Sequence, residues 1–149
     1  MKIDKMNKKI LNILQRNGRM TYKEVAKKID RAQSTVRDRI GIMEEDGVIK
    51  GYTVVINKKK AGLDCYAINQ CKVDPGRLDE VTRKLLRIDN ILQVYHTSGD
   101  HNLTFMIATC DYDEMKRILS EKVAPLGISD MEIKIIMESV REMAYTDIM

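Results

Sequence analysis

An α+β fold in two modules is what this 149-residue sequence predicts, and three observations carry the prediction. The first is charge. Residues 1–60 hold 16 Lys and Arg against 7 Asp and Glu, a net of +9, whereas residues 61–149 hold 10 against 15, a net of −5. The second is periodicity: the first half repeats its apolar residues at helical steps, while the second mixes helical stripes with strand-like runs. The third is a lysine-rich break between them, N-K-K-K-A-G at residues 57–62, which is expected to be a linker. Hydrophobic residues at 44% are enough for a core, and charged residues at 32% suit a soluble protein. No apolar run approaches the roughly 20 residues that span a bilayer. The first ten residues carry no signal-peptide pattern, and Cys65, Cys71 and Cys110 are expected as reduced thiols in the cytoplasm.

In the first module, Ile3, Met6, Ile10, Ile13 and Leu14 form one apolar helix face, with Asp4 as its cap and Asn17-Gly18 as a left-handed stop. Thr21 opens a capping box with Glu24, and Val25, Ala26 and Ile29 make the stripe of a short second helix. After a break at Asp30-Arg31-Ala32, a third stripe runs Val36, Ile40, Met43, ending at Gly47. Gly41 inside that helix costs about 1 kcal/mol relative to Ala. Val48–Lys50 and Tyr52–Ile56 then read as two short strands joined at Gly51.

In the second module, Tyr66–Val73 is strand-like and Asp74-Pro75-Gly76 is a turn. Leu78, Val81, Leu85, Leu86 and Ile88 give a helical stripe, and Ile91–Thr97 and Leu103–Thr109 are strands around a Ser98–His101 turn. Residues 112–123 are helical with Asp111 as the cap, and Met131, Ile133, Ile135 and Met137 alternate as a half-buried strand does. The order βαββαβ is the ferredoxin-like, αβ-sandwich arrangement, placed at residues 63–149.

Three helices, the last two short and separated by about three residues, followed by a hairpin, make a winged helix-turn-helix over residues 1–56. A third helix of about 13 residues is roughly 20 Å long and fits a major groove about 12 Å wide. With Val36, Ile40 and Met43 turned inward, its opposite face presents Gln33, Ser34, Arg37 and Asp38. Gln suits adenine, Arg guanine, and Asp the amino group of cytosine. Thr35 and Arg39 flank that face and are phosphate candidates, as are Lys50, Lys58, Lys59 and Lys60 in the wing, and Thr21 joins the DNA-contacting set. The basic charge of the module fits nucleic acid, although a Lys-rich half is also what a merely solvated surface looks like.

Residues 3–29 (I-D-K-M-N-K-K-I-L-N-I-L-Q-R-N-G-R-M-T-Y-K-E-V-A-K-K-I), then Q-S-T-V-R-D-R-I at 33–40 and E-E-D-G-V-I-K-G-Y at 44–52, resemble the DNA-binding half of the Lrp/AsnC family of transcription regulators. The similarity continues through the βαββαβ half, including S-G-D-H-N-L at 98–103, and covers nearly the whole chain. The resemblance implies a homodimer built through the ferredoxin-like domains, in many members assembled into octamers, that binds palindromic double-stranded DNA. It also implies an amino-acid effector near the Gly-Asp turn. Carried over by position, the recognition helix is residues 33–46 and the effector loop is Gly99, Asp100 and Asn102. Two departures stand out. Ala32 sits where the family commonly caps the recognition helix with Ser, and this loop reads G-D-H-N where the family usually has G-D-Y-D.

No cofactor or catalytic pattern competes. There is no Ser-His-Asp order, P-loop or G-x-G-x-x-G, and the spacings of His96, His101 and the cysteines match no standard zinc pattern. The acidic run Asp111, Asp113, Glu114 is explained by a helix start. The expectation is a cytoplasmic, sequence-specific transcription regulator without enzymatic activity, cofactor or metal. Two alternatives stay open: a nucleoid-type architectural protein with little sequence preference, and an enzyme-regulatory subunit built on the ferredoxin-like half.

Overall fold

Two units of chain, each with its own apolar core, make up the computed structural model, which describes residues 3–142 and 145–149. One lies within Met1–Val55 and Arg141–Met149, the other is Ile56–Val140.

The first unit is built from α1 (Lys5–Arg16), α2 (Tyr22–Ile29) and α3 (Gln33–Glu45). Asp4 caps α1, its carboxylate accepting from the Asn7 N–H at 2.8 Å. The expected left-handed stop after α1 is corrected: Asn17 is extended, at φ −151°, and Gly18 is not left-handed. The Asn17 side chain instead accepts the Arg19 N–H at 3.1 Å, so the amide closes the turn and the backbone need not. The capping box of α2 is complete, with Thr21 Oγ1 accepting from the Glu24 N–H and Glu24 accepting from the Thr21 N–H. Asp30, left-handed at φ +53°, supplies the sharp turn into α3. Ile10 and Leu11 of α1, Val25 and Ala26 of α2, and Val36, Ile40 and Met43 of α3 meet in one core. Gly47, at φ +68°, ends α3 beyond its cap, and the Ile49 N–H returns to the Met43 carbonyl.

The expected wing hairpin is also corrected. Neither Val48–Lys50 nor Tyr52–Ile56 is a strand. Ile49 packs on the helical core, while Val54 and Val55 are 74% and 58% exposed. A two-stranded ribbon without a third strand or a helix to cover it is marginal in water, and among the described residues Val54 and Val55 are covered by neither. Residues 57–62 hold local structure: Asn57 Oδ1 accepts the Lys60 N–H, Lys59–Ala61 forms a 3₁₀ turn, and Gly62 closes it at φ +80°.

The second unit runs β1 (Cys65–Lys72), α4 (Leu78–Leu85), β2 (Ile91–His96), β3 (Leu103–Thr109), α5 (Tyr112–Ile118) and β4 (Ser129–Ile135). The last turn of the predicted 112–123 helix opens into a π turn, Leu119–Val123, and Met137 lies beyond β4 and is fully exposed. Leu86 also falls off the α4 stripe and is exposed. The strands pair antiparallel in the order β2-β3-β1-β4, the βαββαβ topology read from the sequence. Alternation in β1 divides the sheet. Cys65, Ala67, Asn69 and Cys71 face α4 and α5, whereas Tyr66, Ile68, Gln70 and Lys72 face the other way. Phe105, Leu103, Ile107, Val81, Leu85, Met115 and Ile118 complete the core. Burial pushes the Cys71 thiol up to about 11, keeping it protonated and inert. Among the described residues, no helix is long and apolar enough to cross a membrane.

Candidate nucleic-acid interface and effector turn

Helix α3 decides which side chains can reach a ligand, because Val36, Ile40 and Met43 are fully buried and fix its rotation. Gln33, Ser34, Arg37 and Asp38 are thereby exposed together on the outer edge. Arg37 and Asp38 pair with each other, Nε to Oδ1 at 3.2 Å and Nη2 to Oδ1 at 3.1 Å, with both side chains 63% exposed. The Asp38 carboxylate therefore orients the guanidinium without withdrawing it from the surface. The N-terminus of α3 is uncapped: Ala32 makes no side-chain bond to it, so its first N–H groups remain open to an acceptor.

Other predicted contacts fall differently. Arg39 is half-buried and its guanidinium is bonded to the carboxylate of Asp4 and, at 3.2 Å, to Asn7 Oδ1. It braces α1 against α3. Together with the Asn7 N–H, which acts more strongly, it holds the Asp4 carboxyl below its ordinary value. Thr21 is exposed but its hydroxyl is spent on Glu24, and Thr35 is half-buried. Lys50 is exposed at the end of the first unit. Lys58, Lys59 and Lys60, expected in the wing, belong to the second unit, where the Lys58 ammonium sits 4.6 Å over the Tyr66 ring.

The effector turn joins β2 to β3. Gly99 is left-handed at φ +97°, and Gly99 and Asp100 are exposed. Asn102 is engaged elsewhere: its amide oxygen accepts the Val73 N–H at 2.9 Å and its nitrogen donates to the Val73 carbonyl at 2.8 Å. That clamp fixes the turn against the end of β1. Sequence reasoning missed a charged cluster beside it. Lys72 Nζ contacts Asp130 Oδ2 at 2.8 Å, and His101 Nε2 lies 3.5 Å from the same oxygen. Lys72 first, and His101 more weakly, hold the Asp130 carboxyl below its ordinary value, while Asp130 and, less, Asp100 raise Lys72. Only the β1–β4 register, which sets Lys72 opposite Ser129, brings these groups together, so no local spacing could reveal them.

Comparison with known proteins accords with this geometry. Residues 3–50 match the family model described as winged helix-turn-helix DNA-binding, and residues 66–145 match the Lrp/AsnC ligand binding domain. The chain is similar to the HTH-type transcriptional regulator LrpA of Pyrococcus horikoshii, 34% identical over 140 residues, covering 93% of this chain and 99% of that one. Its fold is similar to that of E. coli AsnC, with a TM-score of 0.85 at 22% identity, covering 97% and 99% of the two chains. It is similar too to the transcriptional regulator NMB0573 of Neisseria meningitidis, solved as a complex with L-Met, with a TM-score of 0.83 at 17% identity over 95% and 94%.

Proposed function

We propose a function from one premise: this chain belongs to the Lrp/AsnC family of transcription regulators. It is a DNA-binding regulator carrying a ligand-binding domain. The finer reading is that α3 recognises specific base pairs, that the protein works as a homodimer on palindromic sites and assembles further into an octamer, and that an amino acid modulates it. On this reading it acts in the cytoplasm and catalyses nothing. The observation that carries it is the outer edge of α3, where Gln33, Ser34, Arg37 and Asp38 are exposed above a fully buried stripe. Arg37 takes guanine bidentately, Asp38 aligns the guanidinium or accepts from a neighbouring cytosine amino group, and Gln33 takes adenine. The open α3 N-terminus and Lys50 take phosphates.

For the effector, Asp100 holds the amino group and the N–H groups of the turn around Gly99 face the carboxylate, with Asn102 positioning the turn through Val73. Support comes from the exposure of Asp100 and from the solved L-Met complex of a protein with this fold. Such a ligand changes DNA affinity or assembly only by its differential affinity for the two states. Calorimetric titration with the common amino acids tests this. At least one is expected to release heat with the wild type and to bind more weakly to Asp100→Ala. Silence across the whole panel, with DNA binding unchanged, would retire the amino-acid effector.

A further inference from the structure

The last five residues form the clearest built contact on the first unit, and the regulator function does not use it. Tyr145–Met149 runs antiparallel to α1 along the face made by Lys8, Asn12, Gln15 and Arg16. Two side-chain amides read its backbone. Asn12 Oδ1 accepts the Ile148 N–H at 2.9 Å and Nδ2 donates to the Ile148 carbonyl at 3.3 Å. Gln15 Oε1 accepts the Thr146 N–H at 3.2 Å and Nε2 donates to the Thr146 carbonyl at 3.0 Å. Each amide thus closes a two-bond ring with one residue, as a neighbouring strand does. The spacing matches: two residues of extended chain span about 6.8 Å, and three residues of helix rise about 4.5 Å, with the longer Gln side chain covering the difference.

Side chains of the segment are read as well. Arg16 pairs with Asp147 at 2.7 Å and lies 4.6 Å over the Tyr145 ring, gripping two residues on one side of the strand. Ile148, on the other side, packs against the core of the first unit. Lys8 reaches the Met149 carbonyl. Contacts to the backbone alone would accept any extended peptide. The arginine and the apolar contact select an aromatic residue, an acidic residue two places on, and an apolar residue after that.

We propose that the outer face of α1 is a peptide-binding site whose occupant is this chain's own Tyr145–Met149. The docked segment belongs with the DNA-binding unit, although it follows the ligand-binding unit in sequence. α1 in turn carries Asp4 and Asn7, which hold Arg39 of α3, so docking braces the recognition helix through α1. The site stands on geometry alone; only its effect on DNA affinity rests on the DNA-binding reading.

Hydrogen exchange of the α1 amides in the full chain tests the docking without reference to DNA. Arg16→Asp and Asp147→Arg each place like charges together and are expected to speed α1 exchange several-fold. Both side chains are more than half exposed, so the fold survives either change. The double variant Arg16→Asp/Asp147→Arg restores the pair with its sign reversed and is expected to regain most of the protection. A further variant, Ile148→Asp, is expected to speed exchange likewise, and added synthetic peptide of sequence Tyr145–Met149 to reverse it. Unchanged exchange in the three single variants would overturn the site. So would a double variant no better than its parents together with a peptide that protects nothing.

Discussion

Asp4 joins two jobs in one carboxylate. It caps α1 through the Asn7 N–H and anchors Arg39 of α3, and both interactions favour its charged form. A carboxyl held low in the folded state stabilises the protein at pH above the ordinary carboxylate range, and that contribution is lost as pH falls through the depressed value. Removing the arginine returns the Asp4 carboxyl part of the way to its ordinary value. Arg39→Ala is therefore expected to be less stable than wild type at neutral pH, with the difference narrowing as pH falls below about 4. Denaturant titrations at several pH values measure this. A difference constant with pH would mean that Arg39 serves only by packing. Arg39 also shows what the sequence could not reveal. Its place on the flank of α3 suggested a phosphate contact, but the partner that claims it lies 35 residues away. Asn102 repeats the lesson, since its place in the Gly-Asp loop gave no hint of Val73.

Helices were legible in the sequence because their signals are local. The Thr21–Glu24 box, the Asp4 cap and the stripe Val36, Ile40, Met43 each lie within a few turns, and all three stand in the structure. The four strands were legible for a related reason: alternation and turn residues bounded them to within about two positions, a margin usual for element ends. The hairpin expected in the wing is missing because strand-like composition does not supply a partner strand, and among the described residues Tyr52–Ile56 pairs with none. Ala32 gives the element scale its own prediction. Helix α3 begins without a side-chain cap, whereas Ser at this position would accept an N–H of the first turn. Ala32→Ser is expected to raise stability by about 0.5–2 kcal/mol in chemical denaturation. No gain would mean that the first turn of α3 is already satisfied or frayed. Gly41, whose missing Cβ would meet nothing within 4 Å, shows no packing reason for glycine in the middle of this helix.

For the whole molecule, the sheet is the feature that asks for a partner. Its inner face packs on α4 and α5 along β1 and β3, while the outer face presents Tyr66, Ile68, Met106 and Tyr95, the last 49% exposed. The family resemblance implies a homodimer built through the ferredoxin-like domains, and we propose this face as its interface. Ile68→Asp sets a charge in its middle and is expected to shift sedimentation of the full chain toward the monomer, whereas an unchanged oligomer would locate the interface elsewhere. In the proposed homodimer, two copies of α3 related by a two-fold axis would read two half-sites. Selection of bound sequences from a pool of random duplexes, with wild type and Arg37→Ala side by side, joins both ideas. The wild type is expected to enrich a palindromic motif with half-sites about one helical turn, or a multiple of it, apart. Arg37→Ala is expected to lose preference at one base pair in each half-site and about 1–3 kcal/mol at the cognate site. An unenriched pool, bound by wild type with an affinity that depends on salt alone, would contradict sequence reading by α3.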